Sequence, residues 1–324
     1  MTPSSEGTVI GCRPWLPWPL SRWRWWTEPV RAERLAALRI GLGAVLLLDL
    51  LLTYLPNLSD LFGRDSLGSP SIFAFYTRLP HWRWSLLAGV EGPRILQAAA
   101  WVWVLAAFCL TIGLFTRTSA LAAWVLSTSF AGLNSCIDNA GDEIRGIILF
   151  YLMLSPCGAV WSIDRWRQRR ASRGALAPGC LRPSARQTPI FIHPWPLRLL
   201  MVQMVLMYFS NGMFKLSGDT WWSGRSLYYV LADLTLARWS YAQFTIPFWL
   251  TKSLTWLVLI WEAGFPVWVA LPWTRKAAFL FGVAFHLGIG LSMELGSFVP
   301  YALCLYLPLV PWERMINSTR KQFR

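Results

Sequence analysis

The stretch LAALRIGLGAVLLLDLLLTYL, residues 35–55, decides how this chain is read. Only Arg39 and Asp49 interrupt its apolar character. Its length matches the roughly 20 residues a helix needs to cross a bilayer. Outward from it, similar stretches recur at Ile95–Phe115, Ser119–Leu133, Ile144–Trp161, Leu197–Phe214, Phe248–Leu271, Ala277–Leu291 and Phe298–Val310. The expected fold is all-α, a polytopic transmembrane helical bundle of about eight spans. The third stretch and the last two are short, and a re-entrant or tilted segment among them would lower the count to six or seven.

Composition points the same way. Of the 324 residues 55% are hydrophobic and 14% charged, with a mean hydropathy of +0.41, whereas a soluble domain is about 25% charged. Many of the 22 tryptophans flank apolar runs, among them Trp82, Trp84, Trp221, Trp222, Trp273 and Trp312, as aromatic belts at the headgroups require. The net charge of +14 does not indicate a nucleic-acid partner, because the basic residues lie between apolar runs rather than in one patch. The six cysteines are scattered without a C-x-x-C pair, so neither a metal site nor a disulfide framework is expected. Residues 1–30 lack the apolar core of a signal peptide and are expected on the cytoplasmic membrane surface.

The arginines give a direction. Arg22, Arg24, Arg31 and Arg34 precede the first span, and Arg165, Arg167, Arg169, Arg170 and Arg173 follow the fourth. Arg275 and Lys276 separate the sixth and seventh, and Arg314, Arg320, Lys321 and Arg324 close the chain. With eight spans all of these fall on one side, and Asp138, Asp142, Glu143, Asp219, Asp233 and Glu294 on the other. The positive-inside rule then predicts a multi-pass protein of the cell membrane with both termini cytoplasmic. The chain divides into an N-terminal segment 1–30, a transmembrane domain 31–312 with a polybasic cytoplasmic loop 162–196, and a tail 313–324. The loop reads as a flexible linker attracted to anionic lipid. The outside loops Pro56–Arg94, with Phe73, Phe75 and Tyr76, and Gly218–Pro247 suit short interfacial helices.

Ionisable residues inside a span are costly and mark functional sites by default. Gln203, Asn211 and Lys215 stand at offsets of 0, 8 and 12 on the fifth span, one face that ends in a lysine near the outer interface. Such a lysine can act as a general base, or it can snorkel to the headgroups. Glu262 lies inside the sixth span, and Pro266 cannot donate to its carbonyl, so a kink is expected beside a carboxyl that needs a partner or a proton. His286 shares a face with Ala278, Gly282 and Gly290, and small residues at that period let helices approach closely. It is expected to face the interior, as a structural hydrogen-bonding group or a catalytic one. Asp142 and Arg145 can pair at i, i+3, or the acids there can cap the fourth helix. Arg39 and Asp49 need partners on other helices. The fifth to seventh spans are expected to carry nearly all the buried polar chemistry, and the first four to be scaffold.

The stretch MVLMYFSNGMFKL, residues 204–216, followed by Asp219, Trp221, Trp222 and Gly224, resembles the HTTM domain, the membrane module shared with vitamin K-dependent γ-carboxylase. Leu38-Arg39-Ile40-Gly41, Gly141-Asp142 with Arg145, Trp261-Glu262 and Phe285-His286-Leu287 support the resemblance, which covers about residues 30–312. In that family a lysine of this segment acts as base on vitamin K hydroquinone, and Lys215 matches it. The resemblance thus implies a quinone-like, lipid-soluble cofactor. The candidate catalytic residues are Lys215, Glu262 and His286, and the candidate cofactor contacts are Asn211, Gln203 and Tyr208. The family's Asn-Asn-His run has no counterpart at Asp138-Asn139-Ala140-Gly141, and only 13 residues follow Pro311 where the carboxylase carries its peptide-handling domain. The expected partners are the bilayer and a quinone, with no protein partner identified. A transporter, with Gln203, Asn211, Glu262 and His286 lining a polar path, and a non-catalytic membrane partner docking through Asp164–His193 are the rival readings.

Overall fold

A computed structural model describes residues 24–63, 66, 84–134, 137, 139–174, 189–239 and 245–315. The N-terminal segment to residue 23, the aromatic run 73–76, His81, Cys136, Asp138, the linker 175–188 and the tail 316–324 lie outside the described residues. The fold is all-α. The main helices are α1 (Ala32–Asp49), α2 (Pro93–Ile112), α3 (Thr116–Leu133), α4 (Ala140–Leu154), α5 (Ile163–Gly174), α6 (Trp195–Leu216), α7 (Asp219–Trp222), α8 (Ser226–Ala232), α9 (Phe248–Ala263), α10 (Phe265–Ala270), α11 (Arg275–Ser292) and α12 (Phe298–Cys304). One two-residue antiparallel ladder pairs β1 (Val30–Arg31) with β2 (Phe191–Ile192), tying the entry of α1 to that of α6.

Among the described residues three helices are both long and apolar enough to cross a membrane: Ala32–Tyr54, Pro93–Ile112 and Trp195–Leu216. The count of eight rests on stretches that fold differently in detail. Ile144–Trp161 is helical only to Leu154, because Ser155 precedes Pro156 and takes extended backbone, with ψ 158°. Phe248–Leu271 is two helices broken at Gly264, where Pro266 removes a ladder donor, so the expected kink is a break. Phe298–Val310 is the seven-residue α12 and a 3₁₀ turn at Leu307–Leu309. The outward faces are apolar, with Leu52, Leu105, Ile260 and Leu280 each more than half exposed.

Consecutive helices pack as neighbours: α1 on α2, α2 on α3, α3 on α4. Helix α6 packs on α9 and α10, α11 packs on α10, and α12 packs against α1, α4 and α11. This short helix therefore joins the two halves. The half built from α1–α4 holds a hydrophobic core of Leu35, Leu38, Leu42, Leu46, Trp103, Phe130 and Ile148, all fully buried.

Buried ionic side chains close the helix ends. Arg39 is fully buried, and its guanidinium donates to the carbonyls of Leu110, Thr111, Cys157 and Trp161 at 2.6–3.1 Å. It thereby satisfies acceptors that the C-terminus of α2 leaves orphaned. Asp164 caps α3 from outside its own segment, accepting from the amides of Phe115 and Thr116 and from the Thr116 hydroxyl at 2.6–2.9 Å. Burial raises the Asp164 pKa, but these hydrogen bonds and nearby Arg167 outweigh it and hold the carboxyl below its ordinary value. The sequence reading gave the loop 162–196 no structure. Its first part is α5, a 12-residue helix.

Candidate functional site

Helix α6 brings Tyr208, Gly212 and Lys215 onto one face at offsets of 0, 4 and 7. A glycine inside a helix costs about 1 kcal/mol relative to alanine. Here it permits a crossing, because a Cβ at Gly212 would run into the backbone of Ala263 and Glu262. That crossing sets Lys215 Nζ 2.5 Å from Glu262 Oε2. The carboxyl is almost wholly enclosed, with a side chain 4% exposed, and the lysine keeps 20%. The ammonium also lies 4.6 Å from the Trp221 ring centroid, a cation–π distance. Glu262 thus has the partner that its burial demanded.

The lysine is not at the end of the bundle. Glu262 follows Phe248, the first residue of α9, by a rise of about 21 Å. The segment after Lys215 packs on that N-terminal part of α9: the Leu227 amide donates to Thr255 Oγ1 at 3.2 Å, and Trp256 Nε1 donates to the Trp222 carbonyl at 3.0 Å. Lys215, in the last turn of α6, therefore meets α9 at its C-terminal end, next to the break at Gly264.

Beside the ion pair lies a chain of aromatic hydroxyls. The Tyr208 hydroxyl is 2.7 Å from His286 Nε2 and 2.6 Å from the Tyr306 hydroxyl. Rings of Trp261 and Phe265 pack on Tyr208 with centroids at 4.7 and 4.6 Å. Trp261 Nε1 donates to the Ala278 carbonyl at 3.1 Å. Gly282 leaves room for Tyr306, whose hydroxyl occupies the place of its missing Cβ. His286 is 3% exposed, as its small-residue face required, yet its Nδ1 has no hydrogen-bond partner. A buried polar atom left open is a place for a ligand group or water. Of the cofactor contacts expected from sequence, Tyr208 is in this cluster, Gln203 is half-buried and Asn211 is exposed. Offsets of 8 and 12 on an ideal helix drift around the axis, whereas Tyr208–Gly212–Lys215 follows the actual contact line. Tyr306 was missed, although a tyrosine in an apolar run always needs a home for its hydroxyl.

A second cluster occupies the half expected to be scaffold. Arg145 is buried, with Nη1 2.6 Å from Asp142 Oδ1 and 3.7 Å from Asp49 Oδ2. Ser297 Oγ donates to Asp49 at 2.6 Å, the Tyr301 hydroxyl to its other oxygen at 2.9 Å, and the Tyr54 hydroxyl to Asp142 at 3.2 Å. The guanidinium carbon lies 5.3 Å from the Trp103 ring centroid and 5.4 Å from that of Tyr301. Asp142 also completes a capping box with Asn139, so it both caps the helix and pairs. Beyond α1 the chain continues here as a wider π-helical turn, Leu50–Tyr54, with the Leu55 amide bonded to the Leu50 carbonyl five residues back at 2.9 Å. Through Tyr301 and Tyr306, the chain of α12 reaches both clusters.

Among the described residues no three His, Cys, Asp or Glu side chains are placed to hold a metal. Cys109, Cys157 and Cys304 are free thiols.

The family model of the HTTM domain matches residues 27–312, and the chain belongs to the HTTM family. No curated protein and no solved structure matches it.

Proposed function

We propose that this chain is a multi-pass membrane protein whose Lys215–Glu262 pair is the proton-handling centre for a quinone-like, lipid-soluble cofactor. The ion pair itself carries the reading: an amine held against an enclosed carboxylate and under Trp221, on the helix face that also carries Tyr208 with its partner His286, whose Nδ1 is open. When Glu262 carries the shared proton, Nζ has a free lone pair and can take a hydroxyl proton from the cofactor; the ammonium so formed would face the cofactor's oxyanion, while the Glu262 acid keeps its own proton. Tyr208, Trp221 and His286 would hold the ring, and the cofactor would supply the redox chemistry. Lys215→Ala alone would leave Glu262 buried without a counter-charge, so loss of activity could reflect misfolding. The double variant Lys215→Ala/Glu262→Gln removes both charges. It is expected to keep the wild-type unfolding temperature in detergent and to lose quinone turnover entirely. Turnover at the wild-type rate would sink the proposal.

The membrane topology belongs to the same reading, and the exposed apolar faces and the arginine distribution support it. With eight crossings and cytoplasmic termini, a reporter tag at Ser223 is reached by an impermeant reagent applied to intact cells, and one at Ser172 is not. Labelling of Ser172 from outside would reverse the orientation.

A further inference from the structure

Only two non-glycine residues among those described have positive φ, Phe115 at 46° and Trp161 at 51°. Both are aromatic and outward-facing, with exposures of 61% and 41%. Such backbone is strained for a bulky residue and persists only where surroundings enforce it. Here the enforcing groups are visible. Asp164 accepts the Phe115 amide at 2.9 Å, and Arg39 donates to the Trp161 carbonyl at 2.6 Å. Two buried or half-buried charges thus hold two strained aromatics on the surface.

Helix α5 starts immediately beyond Trp161. It carries Arg165, Arg167, Arg169 and Arg170, and its one acid, Asp164, is spent on capping α3. Among the described residues none of these four arginines forms an ion pair within 4 Å. Instead the guanidinium of Arg167 lies over the Phe115 ring at 5.4 Å, and that of Arg170 over Trp166, itself 58% exposed, at 5.5 Å. The result is a patch of net positive charge, offset only in part by Asp164, interleaved with exposed rings and assembled from the α2–α3 turn, the 155–162 segment and α5. A flexible linker would attract anions without such order.

We propose that this patch is a binding surface for anionic phospholipid headgroups, with Arg167 and Arg170 as phosphate contacts and Phe115, Trp161 and Trp166 seated in the interface around them. Charge complementarity selects the anionic lipid, since each arginine near such a surface contributes about 1 kcal/mol, or about fivefold. The rings suit the headgroup level, where aromatic side chains concentrate. This surface is separate from the Lys215 centre and depends only on the chain lying in a membrane.

The full chain would be placed in nanodiscs of phosphatidylcholine and phosphatidylglycerol, and the lipid retained on extraction quantified by mass spectrometry. The wild type should retain phosphatidylglycerol about fivefold or more above the mixing ratio, less so at high salt. Arg167→Gln/Arg170→Gln should lower the preference about fivefold or more without changing the unfolding temperature, because both side chains are exposed. Arg167→Lys/Arg170→Lys should keep most of the preference. Arg94→Gln, an exposed arginine at the opposite end of α2, should leave it unchanged. Absence of preference in the wild type, full preference in the glutamine variant, or equal loss in Arg94→Gln would each overturn the proposal.

Discussion

Arg145→Met is expected to be the most damaging single substitution in the chain. It leaves Asp49 and Asp142, whose side chains are 4% and 5% exposed, enclosed without a cation. Breaking a buried pair in this way costs about 3–5 kcal/mol, a large part of a typical stability of about 5–15 kcal/mol. It also removes the guanidinium from between the rings of Trp103 and Tyr301. The reading is a fall in unfolding temperature and in folded yield from detergent. The triple variant Asp49→Asn/Asp142→Asn/Arg145→Met should recover most of the loss, since it keeps the shapes and removes every charge. An unfolding temperature of Arg145→Met equal to that of the wild type would show that this cluster does not hold α1, α4 and α12 together.

Gly212→Ala is the second. On propensity alone, alanine in mid-helix should gain about 1 kcal/mol. The gain is reversed here because the added methyl meets the main chain of Glu262 and Ala263, which no rotamer change can move. Overpacking of this kind costs about 1–3 kcal/mol, and α6 and α9 must separate to relieve it. The Lys215–Glu262 and Tyr208–His286 contacts lie on either side of the crossing, so both should lengthen. Gly288→Ala is the control, because a Cβ there meets nothing within 4 Å. It should be neutral or slightly stabilising in the same thermal assay. Equal behaviour of the two variants would refute the close crossing.

Much of this was legible in the sequence. Apolar stretches and their arginine-rich gaps require no tertiary information, since hydropathy and charge are properties of each segment. The interior placement of His286 followed from a small-residue period, and the break near Glu262 from Pro266. Glu262 and Lys215 were both singled out, each as a charge inside an apolar run. Their pairing was not legible, because it depends on how far α6 and α9 slide along one another. Gly212 fixes that offset by allowing contact at one level only.

The error about the scaffold has the same origin. Asp49, Asp142, Arg145, Tyr54 and Tyr301 come from three segments with other helices between them in the chain; the Asp142–Arg145 pair was expected from its spacing, but each of the others looks explicable alone as an interfacial group or an isolated polar residue. Only packing brings them into one network. By itself the sequence determined an all-α chain with apolar outer faces, and which side chains were too costly to bury alone. The tertiary structure decided who partners whom, because a buried charge is satisfied by whichever group the helix crossing brings within about 3 Å.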